Sequence, residues 1–444
     1  QDVTVTAQQR ALRFYAFLWY IAAPVIRILL YVRCMRGKEE LSRLSERTGQ
    51  GWQNQRPDGP LIWLHAVSVG ESIAARTLAD ALLQRSQDCT ILITTNTVTA
   101  AAEIAKAAQK WQGRCAHSYQ PLDHKKWVDR FLTYLRPDCA VFLESDFWPM
   151  LITQAHAHSI PVIFASAQLS PHSLAKWQQR PALAAAVFGS ADRIYSVDDE
   201  QTAAFTALRG GTPSPSITTH GSLKVSVSAL AADAHYTAML SKAAAGRPIL
   251  VCASTHDGEE QMLLQAAAHC ADAGYPVFTI IAPRHPIRAA AVSALMPTAG
   301  RRSQQQPATP ADDSYLNDTL GEMGSLFSVA DIVFLGGSLV PLGGHNPLEP
   351  ALFGAALLTG PFIEKNKHEF EALHTRGAVT ILSNTPEKSA MVALLADKIL
   401  HLVTSRPISQ AQKQKSQKYA QDACSRAEPI ADYICSQIRQ GNNQ

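Results

Sequence analysis

GGSLVPLGGHNPLEPALFGAALLTGP, from Gly336 to Pro361, decides the fold. An apolar run, Asp331 to Leu335, leads into it as a strand would. A glycine-rich turn follows and ends in a helix start. Asn346 is the expected N-cap, Pro347 suits the first helical position, and Glu349 lies three residues past the cap. Glycine lets the backbone approach a ligand, and a helix N-terminus offers free N–H groups to an anion. Strand, turn and helix together are the equipment for holding a nucleotide phosphate. The structural alternative is a capped helix after a tight turn and nothing more.

The rest of the chain sets the context. Its 444 residues exceed what one core holds and imply two or three domains. Hydrophobic residues make up 46% and charged residues 17%, with a net charge of +3, so it is an ordinary globular chain. No basic stripe is interleaved with aromatics, which excludes nucleic acid as the expected partner. The eight cysteines form no C-x-x-C pair and lie mostly in apolar runs. They read as small core residues in a reducing compartment, not as a disulfide framework or zinc site.

From Phe14 to Val32 the only charge is Arg27, and basic residues flank the run on both sides. As a helix it would be about 28 Å long, close to the hydrocarbon thickness of a bilayer. No small-residue cleavage site follows, which disfavours a secretory signal. Pro24 and Arg27 weaken a simple span. Trp and Tyr near the ends favour an anchor that lies in or dips into the membrane, over a buried core helix.

After the anchor, apolar runs alternate with alanine-rich amphipathic stretches such as Glu71–Arg85 and Ala100–Trp111. The strand candidates are Leu61–Ala66, Thr90–Thr95, Cys139–Leu143, Val162–Ala165 and Arg193–Val197, then Ile249–Ala253, Val277–Ala282, Ile332–Leu335 and Ala355–Leu358. Such alternation implies parallel sheets covered on both faces. The expected organisation is an anchor over 1–36, a first α/β domain over 37–215, a linker over 216–246 and a second α/β domain over 247–408. A helical tail over 409–444 could return over the first domain. Two such domains leave a cleft at their strand C-termini, where ligands bind. Arg301–Asp313, polar and rich in Gln and Pro, reads as a surface loop.

The candidate chemistry sits at the ends of these strands. HAVSVGE (His65–Glu71) closes the first; Ser68 and Glu71 have capping-box spacing, the structural reading of that glutamate. The functional reading is a carboxylate at a helix N-terminus, ionised and able to accept a proton. LESDFWP (Leu143–Pro149) places Glu144 and Asp146 together, as metal ligands or as caps. In ASTHDGEE (Ala253–Glu260), Asp257 and Glu260 have cap spacing. In APRHP (Ala282–Pro286), Arg284 could pair with a phosphate. DTLGEMGSLF (Asp318–Phe327) sets a Gly-Glu turn before a short helix. No D-x-D, P-loop, H-E-x-x-H or G-x-S-x-G motif occurs, which disfavours a metal-diphosphate clamp, an NTPase, a zinc protease and an α/β-hydrolase. His65 reads as a core histidine with satisfied hydrogen bonds.

These motifs, with GSLK (Gly221–Lys224) and in this order, resemble the 3-deoxy-D-manno-octulosonic acid (Kdo) transferases of Gram-negative bacteria over nearly the whole chain. The resemblance implies a GT-B fold: two Rossmann-like doubly wound α/β domains facing a cleft, with an N-terminal membrane-anchor helix. It implies inverting transfer of Kdo from CMP-Kdo to the tetra-acylated lipid A precursor at the cytoplasmic face of the inner membrane, with neither metal nor cofactor. Glu71 then matches the catalytic base, and Glu144 and Lys224 the transition-state stabilisers. Pro283 and Arg284, then Gly321, Glu322 and Met323, then Asn346, Pro347, Leu348 and Glu349 match three CMP-binding segments. Asp146 departs from the family, where a second glutamate is expected in many members; the shorter acid leaves its role open. The rivals are a GT-B enzyme using another nucleotide sugar, such as a UDP-sugar transferase or a 2-epimerase, and a membrane-tethered binding protein that is not an enzyme.

Overall fold

The computed structural model describes residues 2–51, 56–224 and 230–441. The chain divides into two compact units, Gln1–Ser226 with Ser425–Gln444, and Val227–Cys424.

The first unit holds β1 (Leu61–His65), β2 (Thr90–Thr95), β3 (Cys115–Tyr119), β4 (Cys139–Leu143), β5 (Val162–Ala167), β6 (Arg193–Ser196) and β7 (Ile217–Thr219). They form one sheet in the order β3-β2-β1-β4-β5-β6-β7, and every pairing is parallel. Alternate residues of a strand face opposite sides, so both faces must be apolar if both are covered. Leu61 and Trp63 join a core with Phe131, Phe142 and Phe188, while Ile62 and Leu64 join another with Leu78, Ile430 and Ile434. Continuous apolar runs were the strand signal for this reason.

The second unit repeats the plan with β8 (Ile249–Thr255), β9 (Phe278–Pro283), β10 (Gly300–Arg301), β11 (Ser314–Leu316), β12 (Ile332–Leu335), β13 (Ala356–Thr359) and β14 (Val379–Ile381). Its order is β10-β11-β9-β8-β12-β13-β14, again wholly parallel. The order reverses between β1 and β4 in the first sheet and between β8 and β12 in the second, where β10 and β11 also exchange places at the edge. At such switch points the connections diverge to opposite faces and open a crevice beyond the strand C-termini.

The segment read as a linker, 216–246, carries real structure. It contains β7 and the helix Ala234–Ala244, while its residues 225–229 lie outside the described residues. The tail read as one helix is two. Arg406–Cys424 belongs to the second unit and Ala427–Gly441 to the first, where it packs on the helix Val69–Arg85. The Arg301–Asp313 segment opens with the edge strand β10 and a short 3-10 turn before running as a loop. All eight cysteines are free thiols; Cys89, Cys139, Cys252 and Cys270 are buried and Cys424 is exposed.

The N-terminal helix runs from Asp2 to Met35. Its stretch Ala7–Met35 is long and apolar enough to cross a membrane. One side lies on the first unit: Ala11, Leu12, Tyr15 and Ala16 meet the core, Trp19 packs edge-on to Trp148, Arg27 sits 5.5 Å over Trp127, Leu30 is buried, and Arg33 pairs with Glu39 at 3.1 Å. The other side, with Phe14, Phe17, Leu18, Ile21, Val25, Ile28 and Val32, is exposed. Both sets recur at three- and four-residue spacing, the two stripes of one helix.

Candidate active site

Two constellations stand at the switch points, one in each unit. In the first, β1 ends at His65 and the helix Val69–Arg85 begins at the N-cap Ser68. The capping box forms as its spacing foretold. Ser68 Oγ accepts from the Glu71 N–H at 3.3 Å, and Glu71 Oε2 accepts from Val67 N–H at 2.5 Å and Ser68 N–H at 3.4 Å. Glu71 is 6% exposed. Burial pushes its carboxyl above the ordinary value; the Val67 N–H pulls the other way, and the negative charge of Glu144 adds to the rise. The capped position therefore also holds a carboxyl whose proton affinity is tuned upward, as a general base near neutrality needs.

Glu144 follows β4 in a left-handed backbone conformation, φ 62°, which side chains other than glycine rarely adopt. Its N–H donates to Ala165 O, and its own carbonyl accepts from Gln168 N–H. Its side chain is buried, and Oε2 accepts from Lys224 Nζ at 2.6 Å and Gln168 Nε2 at 3.2 Å. Oε1 is buried with no hydrogen-bond partner among the described residues. Buried oxygens without a partner are rare and costly, and this one leaves an acceptor open beside Lys224.

Lys224 reaches Glu144 because GSLK is clamped from both sides. Leu223 N–H donates to Ser166 Oγ at 2.6 Å, and Arg426 Nη1 donates to Ser222 O at 3.1 Å. A Cβ on Gly221, φ +98°, would run into the Arg426 side chain. Asp146 is engaged through one oxygen: Oδ2 accepts from Trp148 Nε1 at 2.6 Å and from His65 Nε2 at 3.1 Å. A carboxylate only accepts, so the His65 proton sits on Nε2. Nδ1 then accepts from Thr94 Oγ1 at 2.8 Å, the same hydroxyl that receives Trp63 Nε1. His65 is thus the satisfied core histidine expected, and the short acid at 146 is a structural anchor of its loop.

In the second unit the glycine turn differs from its sequence reading. The amides of Gly337, Ser338 and Leu339 do not stand free. They donate to Glu259 at 2.8, 3.0 and 2.9 Å, and His256 N–H donates to it at 2.8 Å. Glu259 is wholly buried; burial raises its proton affinity and the four amides oppose that. Gly336 is required because a Cβ there would strike the carbonyl of Ser254, and Gly337 because its φ is +67°. The helix after the turn starts at Leu348, one residue later than expected, and spans only Leu348–Leu352. Asn346 still does its part: Oδ1 accepts from Leu348 N–H at 3.0 Å. Nor do Asp257 and Glu260 cap a helix. The cap is Gly258, and both acids bind Arg288, at 2.8 and 2.5 Å.

The groups left for a ligand lie just beyond. Arg284, exposed, is tethered by its N–H to Thr255 O at 3.0 Å after the buried Pro283. Glu349 is half-buried; burial lifts its carboxyl above the ordinary value and the charge of Arg284 works against that. His345 and His256 stack in parallel, Nε2 to Nε2 at 3.0 Å, and His285 stands edge-on to His256. Burial, then His256, pushes His345 down to about 4. Among the described residues no three His, Cys, Asp or Glu side chains are grouped to hold a metal. Gly321, Glu322 and Met323 form a separate corner. Burial works to raise Glu322, yet Arg302 and Thr319 hold its carboxyl below the ordinary value. That segment can offer a ligand its backbone sooner than its acid. The histidine trio and the Glu259 nest carried no sequence signal beyond residue type.

A family model described as 3-Deoxy-D-manno-octulosonic-acid transferase (kdotransferase) matches residues 42–227. A 3-deoxy-D-manno-octulosonic acid transferase of Bordetella pertussis is 34% identical over 353 residues, 76% of this chain and 80% of that protein. A probable mitochondrial 3-deoxy-D-manno-octulosonic acid transferase of Arabidopsis thaliana is 32% identical over 396 residues, 86% of this chain and 87% of that one. The crystal structure of Acinetobacter baumannii MurG has a TM-score of 0.52 at 14% identity, over 85% of this chain and all of that one, which is a likeness of fold alone. The two doubly wound units are of the GT-B type.

Proposed function

We propose a specific reaction for this chain, which belongs to the 3-deoxy-D-manno-octulosonic acid (Kdo) transferase family and is a glycosyltransferase. It moves Kdo from CMP-Kdo to the tetra-acylated lipid A precursor, inverting at the anomeric carbon. The carrying observation is the buried pair Glu71 and Glu144, one with raised proton affinity and the other tied to Lys224. Two carboxyls with opposed environments are the usual signature of divided acid–base labour. Glu71 takes the proton from the acceptor hydroxyl as its oxygen attacks the anomeric carbon; the electron pair of the breaking bond leaves with CMP. The Glu144–Lys224 pair offsets charge in the transition state.

CMP carries one phosphate, so side-chain cations suffice for it without a metal. Arg284 is the first of these, and Pro283, Asn346, Pro347, Leu348 and Glu349 complete the pocket on that unit, with Gly321, Glu322 and Met323 as a further contact. For Arg284→Ala we expect CMP to bind about 10- to 100-fold more weakly, the scale of a lost hydrogen bond to a charged group. Unaltered CMP affinity in calorimetry would remove Arg284 from the donor site. The reaction itself is tested by mass spectrometry of the lipid after incubation with CMP-Kdo and precursor. A product heavier by one or more Kdo units supports it. No mass gain, or competition by UDP instead of CMP, overturns it.

The N-terminal helix serves a membrane-bound acceptor, at the cytoplasmic face of the inner membrane. Its protein-covered stripe from Tyr15 to Arg33 argues for a helix lying in the interface, since the α/β unit that covers it carries loops and sheet edges that the hydrocarbon core does not accept. Ile21→Asp with Ile28→Asp should weaken vesicle binding by at least about 100-fold, the value of two buried aliphatic side chains. Both residues are exposed, so folding should be unaffected. Flotation with vesicles equal to wild type would reject the anchor. Deleting the helix is a poorer test, because it strips Tyr15 from the buried Asp123.

A further inference from the structure

The first unit carries a groove that none of these roles uses. It is a cavity of about 420 Å³ between the N-terminal helix and the helix Pro181–Gly189, walled by Phe14, Tyr15 and Leu18 on one side and Pro181, Ala182 and Leu183 on the other. A second cavity of about 260 Å³ continues from it, sharing Tyr15, Arg180 and Leu183. The second is mixed where the first is apolar: Arg180, Lys176 and Asp146 line it beside Phe147 and Trp148.

We propose that this pair of cavities is the acceptor subsite, the groove taking one acyl chain and Arg180 with Lys176 taking a phosphate on the sugar that carries it. The inference rests on the reading of the acceptor as a phosphorylated, acylated disaccharide.

Three observations support one such occupant. The groove opens beside the exposed apolar stripe of the N-terminal helix, where Phe14 is 63% and Leu18 49% exposed, so a chain leaving a lipid layer stays among apolar side chains. Beyond the apolar walls stand two cations, both exposed. Neither cation has a carboxylate partner among the described residues, although ion pairs are plentiful elsewhere on the same unit. An amphiphile with an anionic head and an apolar tail matches that order of surfaces; a free phosphate would leave the groove empty. The mixed cavity is also lined by Asp146, which accepts from His65, two residues before the Val67 amide that binds Glu71, so a sugar seated there lies beside the loop that leads to Glu71. Arg180 precedes the helix Pro181–Gly189 and Lys176 lies in the last turn of the helix Pro171–Gln178, so the two charges flank one short turn.

The test uses the full chain in detergent with four acceptors: the acylated disaccharide, its O-deacylated form, and each without its phosphates. Ala182→Trp fills the groove from its exposed rim. It should raise KM for the acylated acceptor about tenfold relative to the deacylated one, the effect of roughly two methylenes losing apolar contact. Arg180→Ala with Lys176→Ala should reduce the preference for phosphorylated over dephosphorylated acceptor by about 10- to 100-fold. An equal shift for acylated and deacylated acceptors, or none, overturns the groove. An unchanged phosphate preference overturns the cationic end. Circular dichroism checks that both variants fold. Wild-type protein that moves no Kdo overturns the functional reading instead. Direct binding of the acylated phosphodisaccharide by native mass spectrometry, without donor, then still decides the subsite. Equal binding by wild type and Ala182→Trp rejects it.

Discussion

Glu71→Gln should lower kcat by about 100- to 10,000-fold, the usual contribution of a positioned general base, while CMP affinity stays at its wild-type value. Glutamine is the right replacement because the proposed base also holds a structural position. Its Oε2 closes the capping box on Val67 and Ser68, and a glutamine oxygen can keep those bonds. Alanine would lose the box as well, at about 1 kcal/mol, and mix a folding defect into the kinetics. The pH profile gives a second reading of the same residue. A base works only when deprotonated, so activity falls as pH drops through its pKa. Burial raises that pKa above the ordinary 4.5, which moves the acid limb of kcat upward in pH. The negative charge of Glu144 pushes in the same direction. Glu144→Gln should therefore shift the limb toward lower pH, even as it slows the reaction. Turnover of Glu71→Gln equal to wild type, or a limb that ignores residue 144, would assign the base elsewhere.

How far the site was legible follows from where each part sits in the sheets. The strands read from apolar runs, such as Thr90–Thr95, Cys139–Leu143 and Ile332–Leu335, match the observed ones because they lie inside parallel sheets with both faces covered. The strands that escaped reading are β3 (CAHSY), β7 (ITT), β10 (GR), β11 (SYL) and β14 (VTI). Four of these are sheet edges and the fifth lies next to one, where strands are short and need less apolar surface. Local chemistry was equally readable: the Ser68–Glu71 box depends on three residues of spacing and nothing distant. Contacts made by topology were not. Lys224 lies eighty positions from Glu144 and meets it because β4 and β7 carry their loops to the same end of one sheet. The role of Asp146 needed the ring of Trp148 and the buried His65 to be seen together. Most telling is Glu259, which looks like a first-turn helix acid. Its partners Gly337–Leu339 come from the turn after β12, and only the β8–β12 pairing brings them near.

Glu259→Ala should cost at least about 3 kcal/mol and disorganise the donor turn. Four buried N–H groups converge on this carboxylate, two on each oxygen. A buried donor left without its acceptor costs about 1–3 kcal/mol, and water entering the cavity recovers part of that. Whole domains are stable by only about 5–15 kcal/mol, so a loss of this size is a large fraction of the second unit's reserve. The turn it holds runs directly into His345, Asn346 and Leu348, so CMP should bind far more weakly as well. Hydrogen exchange reads the effect locally: the amides of Gly337, Ser338 and Leu339, protected in wild type, should exchange freely in the variant. This separates two uses of one motif. If the glycine turn held the donor phosphate with its own amides, removing Glu259 would vacate them, and CMP affinity would hold or rise. If the turn is a buried scaffold whose anion is already part of the chain, affinity and protection fall together. The four distances to Glu259 favour the scaffold. The glycines are then conformational necessities, and binding is left to the side chains that follow them.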